Sequence, residues 1–210
     1  MPYSLKGSGF FDFPSVIVLT RAIIETYLTM FEVFFEPVTE DDFEFNHALW
    51  LLSGFVIRGK LTSSDPTIQS KVTNAKKEIQ EMRTRLQKTK KYQSLESEEK
   101  KKVRRGIGIR NWKSVAKSAG FGEKYIQLIY AYLSGYVHAD GLSSTQIATA
   151  QSKQVQIGFI ERQMRTIMIV LAKMIINYAK KFPEAKAVCD KNPDIYYQAE
   201  ILAGAASRLP

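Results

Sequence analysis

The chain has 210 residues, 45% apolar and 24% charged, an ordinary globular balance that excludes wholesale disorder. Its single cysteine, Cys189, excludes an intrachain disulfide and any multi-cysteine metal site, and points to a reducing, cytoplasmic setting. The net charge of +9 is concentrated rather than spread: residues 71–110 hold 14 Lys/Arg against 5 Glu, while the first 65 residues hold 9 Asp/Glu against 4 Lys/Arg.

The N-terminal MPYSLKGSGFFDFP shows no basic stretch leading into an apolar run, so no secretory signal is read there. A first helix is expected from Pro14 and Ser15 to Glu36, where Pro37 stops it. Its only polar stripe is Arg21, Glu25, Glu32 and Glu36, so most of its girth should be buried. Thr39 is a good N-cap for a second helix, with Asp42 at its third position, ending near Thr62. Ser63, Ser64, Asp65 and Pro66 then cap and start a third, over 66–91. In it Ile68, Val72, Ala75, Ile79, Met82 and Leu86 follow spacings of 4, 3, 4, 3 and 4, a heptad seam.

A shorter, mostly solvated helix should follow through EEKKKVRRG, and GIGIRN (106–111) reads as a loop. Short helices are expected over NWKSVAKSAG and GEKYIQLIYAYLSGYVH, with DGLSSTQI turning the chain. A long helix from about Val155 to Lys181 ends at Pro183, and a last one lies near YYQAEILAGAAS. Segments 16–35 and 157–176 are apolar enough to raise a membrane question. Each carries charges (Arg21, Glu25 and Glu32; Glu161, Arg162, Arg165 and Lys173) that cost roughly 2.5–3.5 kcal/mol apiece in a lipid-facing span. They therefore read as core helices, with no membrane partner.

No series of short alternating strands is present. The fold class expected is all-α: one domain over 1–210, a bundle of four to five long helices, with 66–106 as a basic, partly protruding helical hairpin. Helices 14–36 and 155–181 should lie at its centre.

The chemistry-bearing motifs mostly fail. GIGIRN has no preceding strand and no Lys-Ser/Thr after it, so it is not a phosphate loop. His47 and His138 are the only histidines and form no metal-binding spacing, so no metal and no cofactor is implied. Cys189 has no histidine near it in sequence.

Two features remain. In YAYLSGYVHADG, Tyr130, Ser134 and His138 share one helical stripe. Either the tyrosines bury their rings and His138 caps the helix end, or the stripe is a polar site in which Arg21 and Glu25 face His138 from the first helix. The plainer reading has the greater weight, since single histidines usually have structural roles. The second feature is the basic run Lys88, Lys90, Lys91, then Lys100, Lys101, Lys102, Arg104, Arg105 and Arg110. Tyr92 and Trp112 flank it as stacking candidates. Either these are solvated helix faces, or they attract RNA or another polyanion through its phosphates.

RAIIETYLTMF together with WKSVAKSAGFGEKYIQLIYAYLSGYVHADG resembles an uncharacterised family of all-helical bacterial domains. The matching positions are Arg21, Glu25, Tyr130, Leu133, Ser134, Val137 and His138. That family is distantly similar to the HEPN superfamily of helical bundles, many of them ribonucleases of toxin or anti-phage systems and others inactive binding modules. The resemblance implies His138 as acid or base, Ser134 and Tyr130 orienting it, and Arg21 holding a phosphate. Active members carry an arginine a few residues before the histidine. Here the nearest upstream arginine is Arg110.

The expectation is a non-enzymatic module that binds nucleic acid or another partner through 71–110. A HEPN-like enzyme acting on RNA or a nucleotide is the alternative. A third is a dimeric interaction protein, with the heptad seam of 68–86 facing a second chain.

Overall fold

A computed structural model describes residues 11–208. Every regular element among them is helical, and no helix is long and apolar enough to cross a membrane.

Helix α1 (Phe13–Met30) buries Phe13, Ile17, Thr20, Ile24, Tyr27 and Leu28. Its continuation, Phe31–Phe35, widens into a π-helical turn, and the Glu36 N–H reaches back five residues to the Phe31 carbonyl at 2.9 Å. Helix α2 (Glu40–Arg58) opens on Thr39, whose hydroxyl accepts the Asp42 N–H at 3.1 Å. It stops at Arg58 rather than Thr62 because Gly59 and Lys60 close a turn onto the Phe55 and Ile57 carbonyls.

Helix α3 (Pro66–Lys88) starts at Pro66 with Asp65 accepting the Thr67 N–H at 2.7 Å. Thr89 closes it by donating to the Leu86 carbonyl at 2.8 Å. The same hydroxyl accepts the Tyr92 N–H at 3.2 Å and so opens α4 (Lys90–Ser94). Helix α5 (Ser97–Arg104) has a capping box between Glu96 and Glu99. There follow α6 (Trp112–Ser118), α7 (Glu123–Val137), α8 (Gly141–Thr149), α9 (Lys153–Lys181), α10 (Pro183–Asp190) and α11 (Pro193–Arg208).

Two of these depart from expectation. DGLSSTQI is a helix, α8, because Asp140 accepts the Ser143 N–H at 2.8 Å and so caps a start that reads in sequence as a turn. Helix α10 begins at Pro183, the residue read as a terminator: proline ends one helix and serves as the first residue of the next.

The chain divides into two compact units, one of residues up to Thr29 with those from Ala116 onward, the other of Met30–Val115. In the Met30–Val115 unit, Phe45, Ala48 and Leu52 of α2 form a core with Met82 and Leu86 of α3, Tyr92 of α4 and Val103 of α5. Segment 66–106 thus packs on α2, and the α3 seam is filled by its own chain. Gly106, at φ +73°, brings α5 onto α2, since a Cβ there would lie 3.0 Å from the Ser53 Cα.

In the other unit the Phe13 ring stacks on Phe159 at 5.0 Å and meets Tyr136 edge-on at 6.4 Å. Asn177 of α9 donates to the Tyr27 hydroxyl of α1 at 2.8 Å. The Lys173 amine caps α6 through the Ala119 carbonyl at 2.9 Å, above the Phe121 ring. Helix α9 packs through Ala172 and Ile176 against Ala199 of α11. It is not the fully buried central helix its apolar content suggests: Met164, Met168, Leu171, Ile175 and Tyr178 on another face are 42–48% exposed.

Candidate functional sites: a polar cluster and a basic face

Helix α1 and helix α7 bring Arg21, Glu25 and Tyr130 together. Arg21 and Glu25 are one turn apart, and the Arg21 Nε donates to the Glu25 Oε1 at 2.8 Å. The Arg21 Nη2 donates to the Tyr130 hydroxyl at 3.1 Å, and that hydroxyl donates onward to the Glu25 Oε1 at 2.7 Å. The guanidinium also lies over the Tyr130 ring, 4.8 Å from its centroid. One atom is left over: the Arg21 Nη1 is buried without an acceptor.

The electrostatics follow from this ring of contacts. Burial works against the Glu25 charge, but hydrogen bonds from Tyr130 and Arg21 outweigh it, so the carboxyl stays ionised below its ordinary range. Burial, and then the Glu25 carboxylate that accepts its hydrogen bond, push the Tyr130 phenol up. Further along the stripe Glu32 behaves oppositely. Burial raises it, and Arg110 offsets only part of that cost.

His138 does not join this cluster. Eight residues beyond Tyr130, it stands about 12 Å further along the helix axis. It is exposed at the C-cap of α7, where its backbone N–H donates to the Ser134 carbonyl at 3.0 Å. Among the described residues no hydrogen bond links its imidazole to Arg21, Glu25 or Tyr130.

The stretch around His138 is instead built as a helix-to-helix turn. Ala139 takes the left-handed conformation at φ +50°. The Asp140 N–H and the Ser143 hydroxyl both donate to the Gly135 carbonyl, at 2.9 and 3.0 Å. A Cβ at Gly135 would lie 2.3 Å from the Asp140 carboxylate, so a side chain there would displace the carboxylate that caps α8. The Tyr136 hydroxyl donates to Gln146 of α8 at 2.7 Å. His47, in the other unit, stacks on Phe43 at 5.4 Å beside Phe34 and Trp50.

The basic residues separate into two sets. Lys91 bonds Asn46 at 3.1 Å, pairs with Asp42 at 3.8 Å and sits over the Phe45 ring. Arg110 pairs with Glu36, its guanidinium also donating to the Ser114 carbonyl at 3.3 Å. Both cations hold the unit together. Lys101 pairs with Glu98 at 2.6 Å, and Lys100 donates to the Gln93 carbonyl at 2.9 Å. Lys88, Lys90, Lys102, Arg104 and Arg105 are exposed, and among the described residues no acid pairs with them.

Arg104 is held in place all the same, its Nε donating to the Tyr92 hydroxyl at 2.9 Å. Tyr92 is therefore no stacking platform: only 5% exposed, it is a core residue whose hydroxyl reaches the surface. Trp112 is half-buried, with the Lys113 amine 6.0 Å from its ring centroid. The sequence reading missed Arg83 of α3, whose Nε donates to the Arg104 carbonyl at 3.1 Å. Its signal was its place next to the seam residue Met82, which sets it at the edge of the packed face of α3.

The match to one family covers residues 8–154, from the start of α1 to the start of α9. The chain belongs to that family, a family of unknown function designated DUF5677. No curated protein and no solved structure matches the chain.

Proposed function

We propose that the chain is a binding module for polyanions, RNA foremost, engaged through the α3–α5 face. The observation that supports this is the cluster of Arg83, Arg104, Arg105 and Lys102. Tyr92 and the end of α5 position two of these cations, and no acid among the described residues neutralises any of the four. Positioned, unpaired cations attract phosphates without reading bases, and the affinity then falls steeply with salt.

The test is anisotropy of a labelled single-stranded RNA at about 50 and 200 mM salt. Binding should weaken sharply between the two and be largely lost in Lys102→Glu/Arg105→Glu, a pair that leaves the Arg104–Tyr92 bond intact. Absence of binding at low salt, or an unchanged double variant, overturns the reading.

A second reading, a HEPN-like enzyme acting on RNA or a nucleotide, draws on the unmatched Arg21 Nη1, which an anionic oxygen would satisfy. Against it stand the exposure of His138 and its separation from Arg21. The same RNA samples run on a gel decide between them: cleavage that disappears in His138→Ala and Arg21→Gln would establish the enzyme.

A further inference from the structure

Helices α7 and α9 enclose a groove of about 400 Å³, well away along the sequence from the basic segment and within the size range of small-ligand pockets. One wall is Leu128, Ile129 and the rings of Tyr125 and Tyr132, all from α7. The other is α9, where Ile169 continues the apolar lining and Arg162, Gln163, Arg165 and Thr166 bring the polar atoms. The groove is thus apolar over most of its surface, with its charge confined to one side.

Two independent features of that polar side point to a ligand. The first is Gln163, which is only 5% exposed, lines the groove, and has no hydrogen bond from its side-chain amide to any described residue. Its amide atoms are not sealed from solvent, so a group entering the groove can bond them. The second is the pair Arg162 and Arg165. They are one turn apart, exposed, and unpaired with any acid among the described residues. The Thr166 hydroxyl contacts, to the Tyr125 hydroxyl at 3.4 Å and to the Arg162 carbonyl at 3.2 Å, consume neither the Gln163 amide nor the guanidiniums.

We propose that the α7–α9 groove binds a small amphipathic anion. Its aliphatic body lies against Leu128, Ile129 and Ile169. Its anionic head is held by Arg162 and Arg165 and hydrogen-bonded by the Gln163 amide. A neutral lipid leaves the guanidiniums unmatched, and a hydrophilic anion leaves the apolar wall wet. Only a ligand with both parts satisfies both sides.

Isothermal titration of the full chain with decanoate, decanol and decylamine, all below micelle-forming concentrations, tests this. Decanoate should bind saturably, decanol at least tenfold more weakly, and decylamine not measurably. Arg162→Gln/Arg165→Gln should weaken decanoate at least tenfold and Gln163→Leu several-fold, each with an unchanged circular dichroism spectrum. Lys88→Gln/Lys90→Gln removes the same charge from the basic segment and should bind decanoate normally. The proposal is overturned if decanoate does not saturate, if decanol binds as tightly, or if the Lys88/Lys90 variant weakens as much as the arginine variant.

Discussion

Helices α3 and α9 carry the same apolar spacing and meet opposite fates. On α3, Ile68, Val72, Ala75, Ile79, Met82 and Leu86 step by 4, 3, 4, 3 and 4. Along α9 and its C-cap, Met164, Met168, Leu171, Ile175, Tyr178 and Phe182 step identically. The α3 seam closes on α2, and Met82 and Leu86 are at most 2% exposed. The α9 seam faces outward, with Leu171 42% exposed, because α9 packs through a different face, that of Ala172 and Ile176. Periodicity identifies a helix and a stripe; it does not say whether the chain itself covers the stripe.

The comparison breaks most visibly at Leu86. Truncating it to alanine empties a site walled by Met82, Tyr92 and Val103, and should cost about 2–5 kcal/mol in urea denaturation. A cost below about 1 kcal/mol would mean that the α3 seam is no better packed than that of α9.

Helix α1 repeats the lesson with charge. Glu25 and Glu32 lie on one stripe of its sequence, seven residues apart, yet their carboxyls shift in opposite directions. Glu25 is held below its usual range, so its contribution to stability is present at neutral pH and lost as the pH falls through its folded value. Glu32 is raised, so its charge costs stability at neutral pH, and the cost disappears on protonation. Glu25→Gln should therefore destabilise at pH 7, and Glu32→Gln should stabilise. The Glu32 difference should shrink as the pH falls through its raised folded value and be gone below the ordinary glutamate value of about 4.3, whereas the Glu25 difference should shrink only below that value. Tyr130→Phe, which removes the hydroxyl between Arg21 and Glu25, should cost about 1 kcal/mol at pH 7. Shifts of the same sign for the two glutamates would show that the stripe has one environment rather than two.

What was legible in the sequence is what local chemistry determines. Thr39, Asp65 and Pro66 mark helix starts by their own side chains, and each does so in the structure. The sequence offered Arg21, Glu25 and Tyr130 together only within the less favoured of two readings, and with His138 as the group they would face. The place of His138 at the end of α7 was the plainer of the two readings of its stripe, and the structure has it there as the C-cap. What spacing alone did not show is the turn after it, in which Ala139 enters the left-handed region and Asp140 folds back over Gly135. Nor was the structural role of Lys91 and Arg110 legible, since their partners Asp42 and Glu36 lie 49 and 74 residues away in sequence. The groove residues Arg162 and Arg165 were visible only as charges that argue against a membrane span. The binding reading needs α7 opposite them, which no spacing within α9 supplies.

The smallest effect makes the sharpest test of the opening contrast. Leu171→Lys places a charge in the middle of the outward α9 seam, at a site already 42% exposed. A lysine there can extend its amine into water while its methylene stem covers the neighbouring apolar surface. The change in unfolding free energy should stay within about 0.5 kcal/mol, as for other surface substitutions. Leu86→Lys, the same change on α3, should prevent folding of the Met30–Val115 unit, because its charge would enter a core with no partner for it. Circular dichroism of the two variants side by side reads the difference directly. Leu171→Lys retains the wild-type helical signal and melts with it, and a large loss there would mean that the outward stripe is covered after all.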